Sequence, residues 1–497
     1  MLSLFFVLVF CVLLLYYISR WYKNRNILQP PIFPGGLPLL GHAHMLVGDS
    51  RHIWKFTKSL LDNLLHNNKD IATLNLVVMD IHVIMNPDDF LMVSNNFLDK
   101  AYLYELGKPW LGDGMITCSG AIAKRSHKLL GPAFNIQVLN GYLEVFNSQS
   151  RVLIQSFARE VDKGPFNPTN ILGRFAIETV CLTSMGIDSG DWDIQKDVYL
   201  RAVQEIQNIL VERFTRVWLH PDFIFKMSYI KKEHDRLVTL TNDMILKLIK
   251  TKRSQLNKNN FKNDGTSSSR FRSLLDILLG LYVLSDKEIK DEVETMMVAG
   301  HETIEYTLVF ILMLLGSYQD VQQKAYEESI VVFGDTDRDV GKDDLPKLVY
   351  LEAVIKEVIR LYPVVPVIAR HVDSDFKLRE YTIKAGTTCV LPVYGIQRNT
   401  MWGPDADQFR PERWLDKASL PQHPAAFPAF SIGKRSCIGK TYSMMSMKTT
   451  LAHFLRHYRV TADHTQLVLK LNVALKPESG QLITIQHRDK KISNFNK

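Results

Sequence analysis

The sequence predicts a mostly helical catalytic body with minor β sheets, carried behind an amino-terminal transmembrane helix. Three features lead there: an uncharged run at the start, long stretches with apolar residues at spacings of three and four, and only a few short alternating runs. No alternating β/α pattern supports a doubly wound sheet. The 497 residues suggest about three domains at roughly 150 residues each, which is only a prior. Composition is ordinary for a globular protein, with 46% hydrophobic and 23% charged residues. The 26 glycines and 20 prolines follow no period, which excludes collagen-like and low-complexity chains. Five widely spaced cysteines make neither a disulfide framework nor a zinc-finger pattern, so a reducing compartment fits. Lys and Arg number 60 against 52 Asp and Glu, a balance suited to a membrane surface or an acidic protein partner. Nucleic acid is not expected, because no dense basic run or nucleic-acid motif occurs.

Residues 1–19 carry no charge. As a helix they would span roughly 28 Å, close to the ~30 Å hydrocarbon core. Arg20, Lys23 and Arg25 follow at once, so the run reads as an uncleaved signal anchor with the rest of the chain cytoplasmic. A cleaved signal peptide would show the reverse order of charge. Tyr16, Tyr17, Trp21 and Tyr22 sit where an interfacial aromatic belt would lie. Residues 20–41 form a basic, Pro- and Gly-rich linker: Pro30, Pro31, Pro34 and Pro38 with Gly35 and Gly36 favour a stiff, extended connector, whether plain spacer or hinge. Residues 42–497 form the body. Within it, 71–77 and 80–86 alternate as a strand pair, and 141–250 is mostly helical. The polar stretch 256–269 is expected to be a mobile loop inserted between helices. A helix runs from Asp286 to about Ser317, and another over 344–362 stops before Pro363. Strand-like runs occupy 367–372, 379–392 and parts of 457–486.

The most informative segment is Phe430-Ser431-Ile432-Gly433-Lys434-Arg435-Ser436-Cys437-Ile438-Gly439, which leads into an apolar helical stretch. Its glycines permit the turns that bring a side chain up to a flat ligand. Amides at the following helix start, with Lys434 and Arg435 nearby, would favour a thiolate at Cys437. A lone cysteine is more often a buried structural residue. Local physics leaves the two readings level.

The segment resembles, in all five fixed positions of ten, the Phe-x-x-Gly-x-Arg-x-Cys-x-Gly signature of the cytochrome P-450 haem-thiolate monooxygenases. The resemblance implies that fold, with Cys437 as axial iron ligand, Phe430 packing near the haem and its thiolate, and Arg435 as a propionate partner. In that family such a thiolate pushes electron density toward the iron and favours O–O cleavage. Ala299-Gly300-His301-Glu302-Thr303 resembles the family's distal helix, which implies a hydroxyl at Thr303 and an acid at Glu302 for proton relay to bound dioxygen. His301-Glu302 begins like His-Glu-x-x-His, but the matching position is Glu305, so the zinc-hydrolase pattern fails. Glu357 and Arg360 share a helix face and would usually be a surface pair worth little. With Arg413 they resemble the family's buried triad behind the haem. Arg370 resembles a further propionate contact.

Three positions depart from the family. Ala123 and His127 stand where Trp and Arg are usual, leaving His127, Arg125 or Lys128 as a replacement propionate contact. Gln397 replaces the histidine common before Arg398. The stretch from Glu292 resembles the fatty-acid ω-hydroxylase branch, family four and its relatives. Many of these carry a glutamate before Gly-His that esterifies the haem; Ala299 here implies a non-covalent haem b. Candidate pocket walls are Met296, Ala299, Val364, Val365, Val367 and Ile368, with Tyr102, Leu106 and Trp110 at the entrance. Such a lining suits a fatty acid, terpenoid or hormone, hydrocarbon or xenobiotic. No flavin or nicotinamide fold occurs in the chain. The resemblance implies an NADPH-dependent flavoprotein reductase, admits cytochrome b5 as an auxiliary partner, and places the protein in the endoplasmic reticulum membrane. Lys434, Lys440 and Lys128 are candidates for a basic docking patch. A peroxide-rearranging enzyme of the same fold and a non-catalytic haem or lipid carrier are the competing functions.

Overall fold

A computed structural model describes residues 28–76, 79–186, 193–260, 272–281 and 283–488. The expected anchor and the basic half of the linker therefore lie outside the described residues. The body follows the predicted class, with long helices around four small sheets. In chain order the elements that matter here are α1 (Ser50–His66), β1 (Ile71–Leu76), β2 (Met79–Ile84), α2 (Pro87–Asn96), α3 (Gly120–Leu130), α4 (Leu143–Ala158), α5 (Thr169–Val180), α6 (Asp193–Thr215), α7 (Tyr229–Asn260), α8 (Asp286–Ser317), α9 (Gln319–Phe333) and α10 (Val349–Leu361). After them come β3 (Ile368–His371), β4 (Thr388–Leu391), α11 (Lys440–His457), β5 (Tyr458–Ala462), β6 (Val468–Leu471), β7 (Leu475–Ser479) and β8 (Ile483–His487). The segment expected as a loop over 256–269 begins differently: residues 256–260 continue α7, because nothing in Leu256 to Asn260 breaks a helix. Its remainder lies outside the described residues.

The axis of the molecule is α8. Ser285 caps it, its hydroxyl accepting from the Glu288 amide while the Glu288 carboxylate accepts from the Ser285 amide. By length and composition it could cross a membrane, but 78% of its most apolar window is buried among neighbouring helices, so it is a core helix. Packing against α5 is close. A Cβ on Gly300 would stand 2.9 Å from Val180 Cγ2, so Gly300 faces α5 and serves helix approach. Another large core joins α4, α5, α8, α9, α10, α11 and the β5–β8 pair.

The largest sheet has strand order β1–β2–β4–β3, with β2 and β4 parallel and the other pairs antiparallel. Proline-rich residues 30–41 are not a free connector. The Phe33 amide donates to the Thr73 carbonyl at 2.9 Å, the Thr73 amide to Pro31 at 2.7 Å, and the Thr382 amide to Leu28 at 3.2 Å. A second hairpin, β6–β7, returns to the middle of the molecule, where the Leu475 amide donates to Val364 at 2.7 Å.

Glu357 on α10 is fully buried, and its carboxylate takes every bond it can. Arg360 donates through Nε at 2.9 Å and Nη2 at 2.8 Å, Arg413 through Nε at 2.8 Å, Trp414 through Nε1 at 2.9 Å and the Arg410 amide at 3.1 Å. Arg360 and Arg413 are themselves fully buried and spend their remaining donors on carbonyls of Gln397, Ala406, Gln408 and Asp405. Burial alone would push the Glu357 carboxyl up; Arg360 and Arg413 more than offset it and hold it low. Glu357→Ala would leave two guanidinium groups buried without their counter-charge. We expect it to cost about 3–5 kcal/mol, read as loss of folded protein or a lower midpoint in denaturant. A variant as stable as the parent would contradict this account.

Candidate active site

The loop before α11 is shaped by its backbone. The Cys437 amide donates to Phe430 at 2.7 Å and the Ser436 amide to Gly433 at 3.1 Å, closing the loop around the thiol. Gly433 has a φ of 72°, and a Cβ there would lie 2.5 Å from Asn95 Oδ1 of α2. Cys437 is accessible on one side and crowded on the others. Burial pushes its thiol up, while the amides of Gly439 and Lys440 at the start of α11 and the Lys440 charge pull it down. The expected contributions of Lys434 and Arg435 are not among these, for Arg435 is turned away: its Nη1 lies 3.4 Å from Cys118 Sγ and its Nη2 donates to the Cys118 carbonyl at 3.1 Å. Phe430 is half-buried, beside the Lys440 ammonium at 5.8 Å.

Near this loop the chain gathers positive charge. Arg370 on β3 is fully buried, gives one bond to the Ala369 carbonyl at 3.1 Å, and has no partner for Nε or Nη2. Lys100 pairs by backbone with Arg370, and its ammonium lies 4.6 Å over the Tyr104 ring. Burial first, then the charges of Arg370 and Arg435, push Lys100 well below an ordinary lysine. Among the described residues no carboxylate takes a hydrogen bond from any of these three cations. Unpaired buried charge of one sign is costly, so the arrangement suits an anionic ligand.

His127 on α3 approaches the Ser436 carbonyl through Nε2 at 3.3 Å. It lies with Lys124, Lys128, Lys434 and Arg435 around an open hollow of about 350 Å³. Arg125 is occupied elsewhere, donating to Glu288 at 2.6 Å. Ala123 is buried in the core. Gln397 gives its amide to the carbonyls of Ile359 and Arg360 at 3.1 and 2.9 Å, helping to close the end of α10.

On α8 almost every residue from Ile289 to Gly316 is buried; the exceptions are Met296, Ala299, Gly300 and Thr303. Met296, Ala299 and Thr303, at spacings of three and four, lie on one stripe that opens into the interior, while Gly300 is turned toward α5. Thr303 Oγ1 donates to the Ala299 carbonyl at 2.7 Å, leaving its lone pairs free. His301 is buried and donates through Nδ1 to the Met297 carbonyl at 2.7 Å, with burial pushing its ring down. Glu302 is held off the stripe, accepting from Gln207 Nε2 at 2.7 Å and Lys476 Nζ at 3.2 Å. Val364 and Ile368 are buried, and Val367 is half-buried. Of the expected entrance residues, Tyr102 reaches the His220 carbonyl at 3.1 Å, whereas Trp110 is core and donates to Glu294 at 2.8 Å.

Sequence reading missed Lys100, Gln207, Lys476 and Glu305. A lysine inside Ala474-Leu475-Lys476 and a glutamate inside the apolar part of α8 are charges set in buried runs, and that is the signal that could have found two of them. Glu305 has no hydrogen-bond partner among the described residues and packs against Gly173 of α5. Burial, then the Glu302 carboxylate, push it up to about 8.

A family model described as "Cytochrome P450" matches residues 30–484. Curated relatives include the human protein "Cytochrome P450 4V2", 30% identical over 95% of this chain and 92% of its own length. "Cytochrome P450 4c21" of Blattella germanica is 30% identical over 91% of this chain and 92% of its own. "Cytochrome P450 4d2" of Drosophila melanogaster is 30% identical over 94% and 95%. Among solved structures, the "cytochrome P450DA heme domain" superposes with a TM-score of 0.78 at 20% identity, covering 93% of this chain and 99% of that one. That likeness speaks to the fold.

The Glu305 carboxyl supplies a pH-dependence with a definite sign. Folded, it keeps a proton that the unfolded chain releases above about pH 4.3, so stability falls as pH rises, by up to about 1.4 kcal/mol per unit. The fall ends near the folded value of about 8. Glu305→Gln removes it. The melting advantage of the variant should be near zero in acid, grow through neutrality and then level. A difference constant across that range would contradict the placement.

Proposed function

The chain belongs to the cytochrome P450 family of haem-thiolate monooxygenases, and from that premise we propose that it inserts one atom of dioxygen into a lipophilic substrate with electrons passed from NADPH by a membrane flavoprotein reductase. The observation that carries the reading is Cys437: its sulfur is accessible on one side and receives two amides at a helix start. Among the described residues no three His, Cys, Asp or Glu side chains gather to hold an ion by themselves, so a single thiolate suits a metal that brings other ligands with it.

The residues fit haem. Cys437 would ligate the iron, Phe430 would pack beside the sulfur, and Arg370, Arg435 and Lys100 would meet the two propionates, which answers the orphaned donors of Arg370. His127, a turn away at the Ser436 carbonyl, would stand in for the usual arginine of that helix. Ala299 offers no carboxylate on the open stripe, which supports a non-covalent haem b. When bound, haem supplies dioxygen activation. The chain supplies the protons: Thr303 presents a free oxygen to the chamber because its hydrogen goes to Ala299, and Glu302 next to it is the acid. The apolar residues Met296, Ala299, Val364 and Val367 support a lipophilic substrate such as a fatty acid, terpenoid, hydrocarbon or xenobiotic.

Membrane attachment is supported by the surface as well as by residues 1–19. Trp218, Phe223, Met227 and Tyr229 are exposed around Lys226, Lys231 and Lys232, a mixture suited to an anionic bilayer interface. Leu28, Ile32, Leu37 and Leu40 are exposed too. We place the body on the cytoplasmic side of the endoplasmic reticulum. The hollow ringed by Lys124, Lys128 and Lys434 is the docking face for the reductase, and for cytochrome b5 as auxiliary donor.

The absorbance difference spectrum of the dithionite-reduced protein with and without carbon monoxide tests the ligand. A strongly red-shifted Soret band that is lost in Cys437→Ser is expected; a band at the ordinary haem-protein position would argue for the carrier. In membranes reconstituted with the reductase, Thr303→Ala should still consume NADPH and dioxygen while product falls by about 10²-fold. Unchanged product formation would remove Thr303 from the reaction.

A further inference from the structure

Glu302 is one residue from Thr303, so the two side chains leave α8 about 100° apart. Its carboxylate is closed into a triangle on the side away from the open stripe. Gln207 Nε2 of α6 donates to Oε2 at 2.7 Å, Lys476 Nζ of β7 donates to Oε1 at 3.2 Å, and the same Nζ donates to Gln207 Oε1 at 3.3 Å. All three residues are buried, and the ammonium also lies 5.4 Å over the Tyr306 ring. The corners come from three elements far apart in sequence. A second bond, from Asn472 Nδ2 to Asn208 Oδ1 at 3.0 Å, ties the same hairpin to the same helix one residue along.

We propose that Lys476 and Gln207 are positioning residues that park the Glu302 carboxylate away from Thr303, and that seating of α6 and the β6–β7 hairpin around a substrate releases it. This rests on the reading of Glu302 as the relay acid. The geometry gives the means. Both bonds from Lys476 are at the long end for N–H···O contact, so a shift of a few tenths of an ångström between β7 and α8 breaks them. The Leu475 amide is bonded to Val364, a wall of the chamber, so a ligand that presses on that wall moves the strand carrying Lys476. A ligand shifts such an equilibrium only through its different affinity for the two arrangements. An apolar ligand lying on the open stripe of α8 against Val364 meets that condition, since it favours whichever spacing of the surrounding elements accommodates its volume. The triangle thereby makes proton delivery wait for an occupied chamber.

The test uses the full-length holoenzyme with its reductase in membranes and compares Glu302→Gln, Lys476→Met, Lys476→Arg and the Glu302→Gln/Lys476→Met pair. Three quantities are read: NADPH oxidation without substrate, the fraction of electrons recovered in product with a substrate found by screening, and the thermal midpoint of the resting protein. Lys476→Met should raise substrate-free NADPH oxidation by roughly threefold or more and flatten the pH profile of coupling. Lys476→Arg should restore both. The double variant should leak no more than Glu302→Gln alone, and the midpoints should be non-additive, which reports the contact independently of turnover. If Glu302→Gln loses product but Lys476→Met couples as the parent does, the parking role is overturned while the relay reading stands. Should Glu302→Gln itself leave coupling unchanged, the relay reading fails and the inference with it. Additive leaks in the double variant would mean that Lys476 acts elsewhere, and would also overturn it.

Discussion

Everything around the thiol depends on one buried carboxylate. Glu357 collects five donors, and through Arg413 and Trp414 it fixes the 405–414 segment against α10. The Trp414 ring meets Phe427 edge-on at 4.7 Å, three residues before the loop that presents Cys437. Trp402 closes the same patch by donating to the Ala426 carbonyl at 3.2 Å. A charge buried this deeply is tolerable only when all its lone pairs are used, and using them aligns four stretches of chain. The precision of the ligand loop is therefore inherited from an ion cluster that touches no reactant.

Two kinds of polar placement coexist in the interior. Glu357, Arg360 and Arg413 satisfy one another, and the fold gains rigidity. Arg370, Arg435 and Lys100 have no carboxylate hydrogen-bonded to them among the described residues, and Arg370 keeps two donors without a partner, which is what the proposed propionate contacts would use. Glu302, Lys476 and Gln207 stand between these cases, satisfied within the protein but through two bonds long enough to yield. Saturated, unsaturated and barely saturated clusters correspond to a scaffold, the proposed cofactor cradle and the proposed moving part.

Much of this was legible in the chain. The span Asp286–Ser317 could be read because a helix has a repeating period, whereas the signature around Cys437 and the burial of Glu357, Arg360 and Arg413 were legible only through resemblance to a family. A glycine in a helix such as Gly300 says that something comes close without saying what; here it is Val180. The thiol environment was half right: the helix-start amides were expected, whereas the cation that matters is Lys440. Lys100 and Gln207 left no trace, because their roles come from partners 95 to 335 positions away that only the packing of α6, β3, β7 and the Cys437 loop brings near. Gln397, whose effect could not be foreseen, turned out to seal carbonyls at the end of α10.

The docking of residues 28–41 along β1 has a consequence for how the enzyme would meet its substrates. With a proposed anchor ending at Ser19 and the chain pinned from Leu28, nine residue steps remain, a leash of at most about 30 Å when fully extended. A body so tethered cannot sample the aqueous volume. It would search in two dimensions, meeting lipophilic molecules at their concentration in the bilayer instead of their much lower concentration in water. Val217 packs on the same cluster as Phe33, so the exposed Trp218 that follows it lies near the side on which the leash is pinned. Partitioning into the membrane would then do part of the selection before any side chain of the chamber is reached.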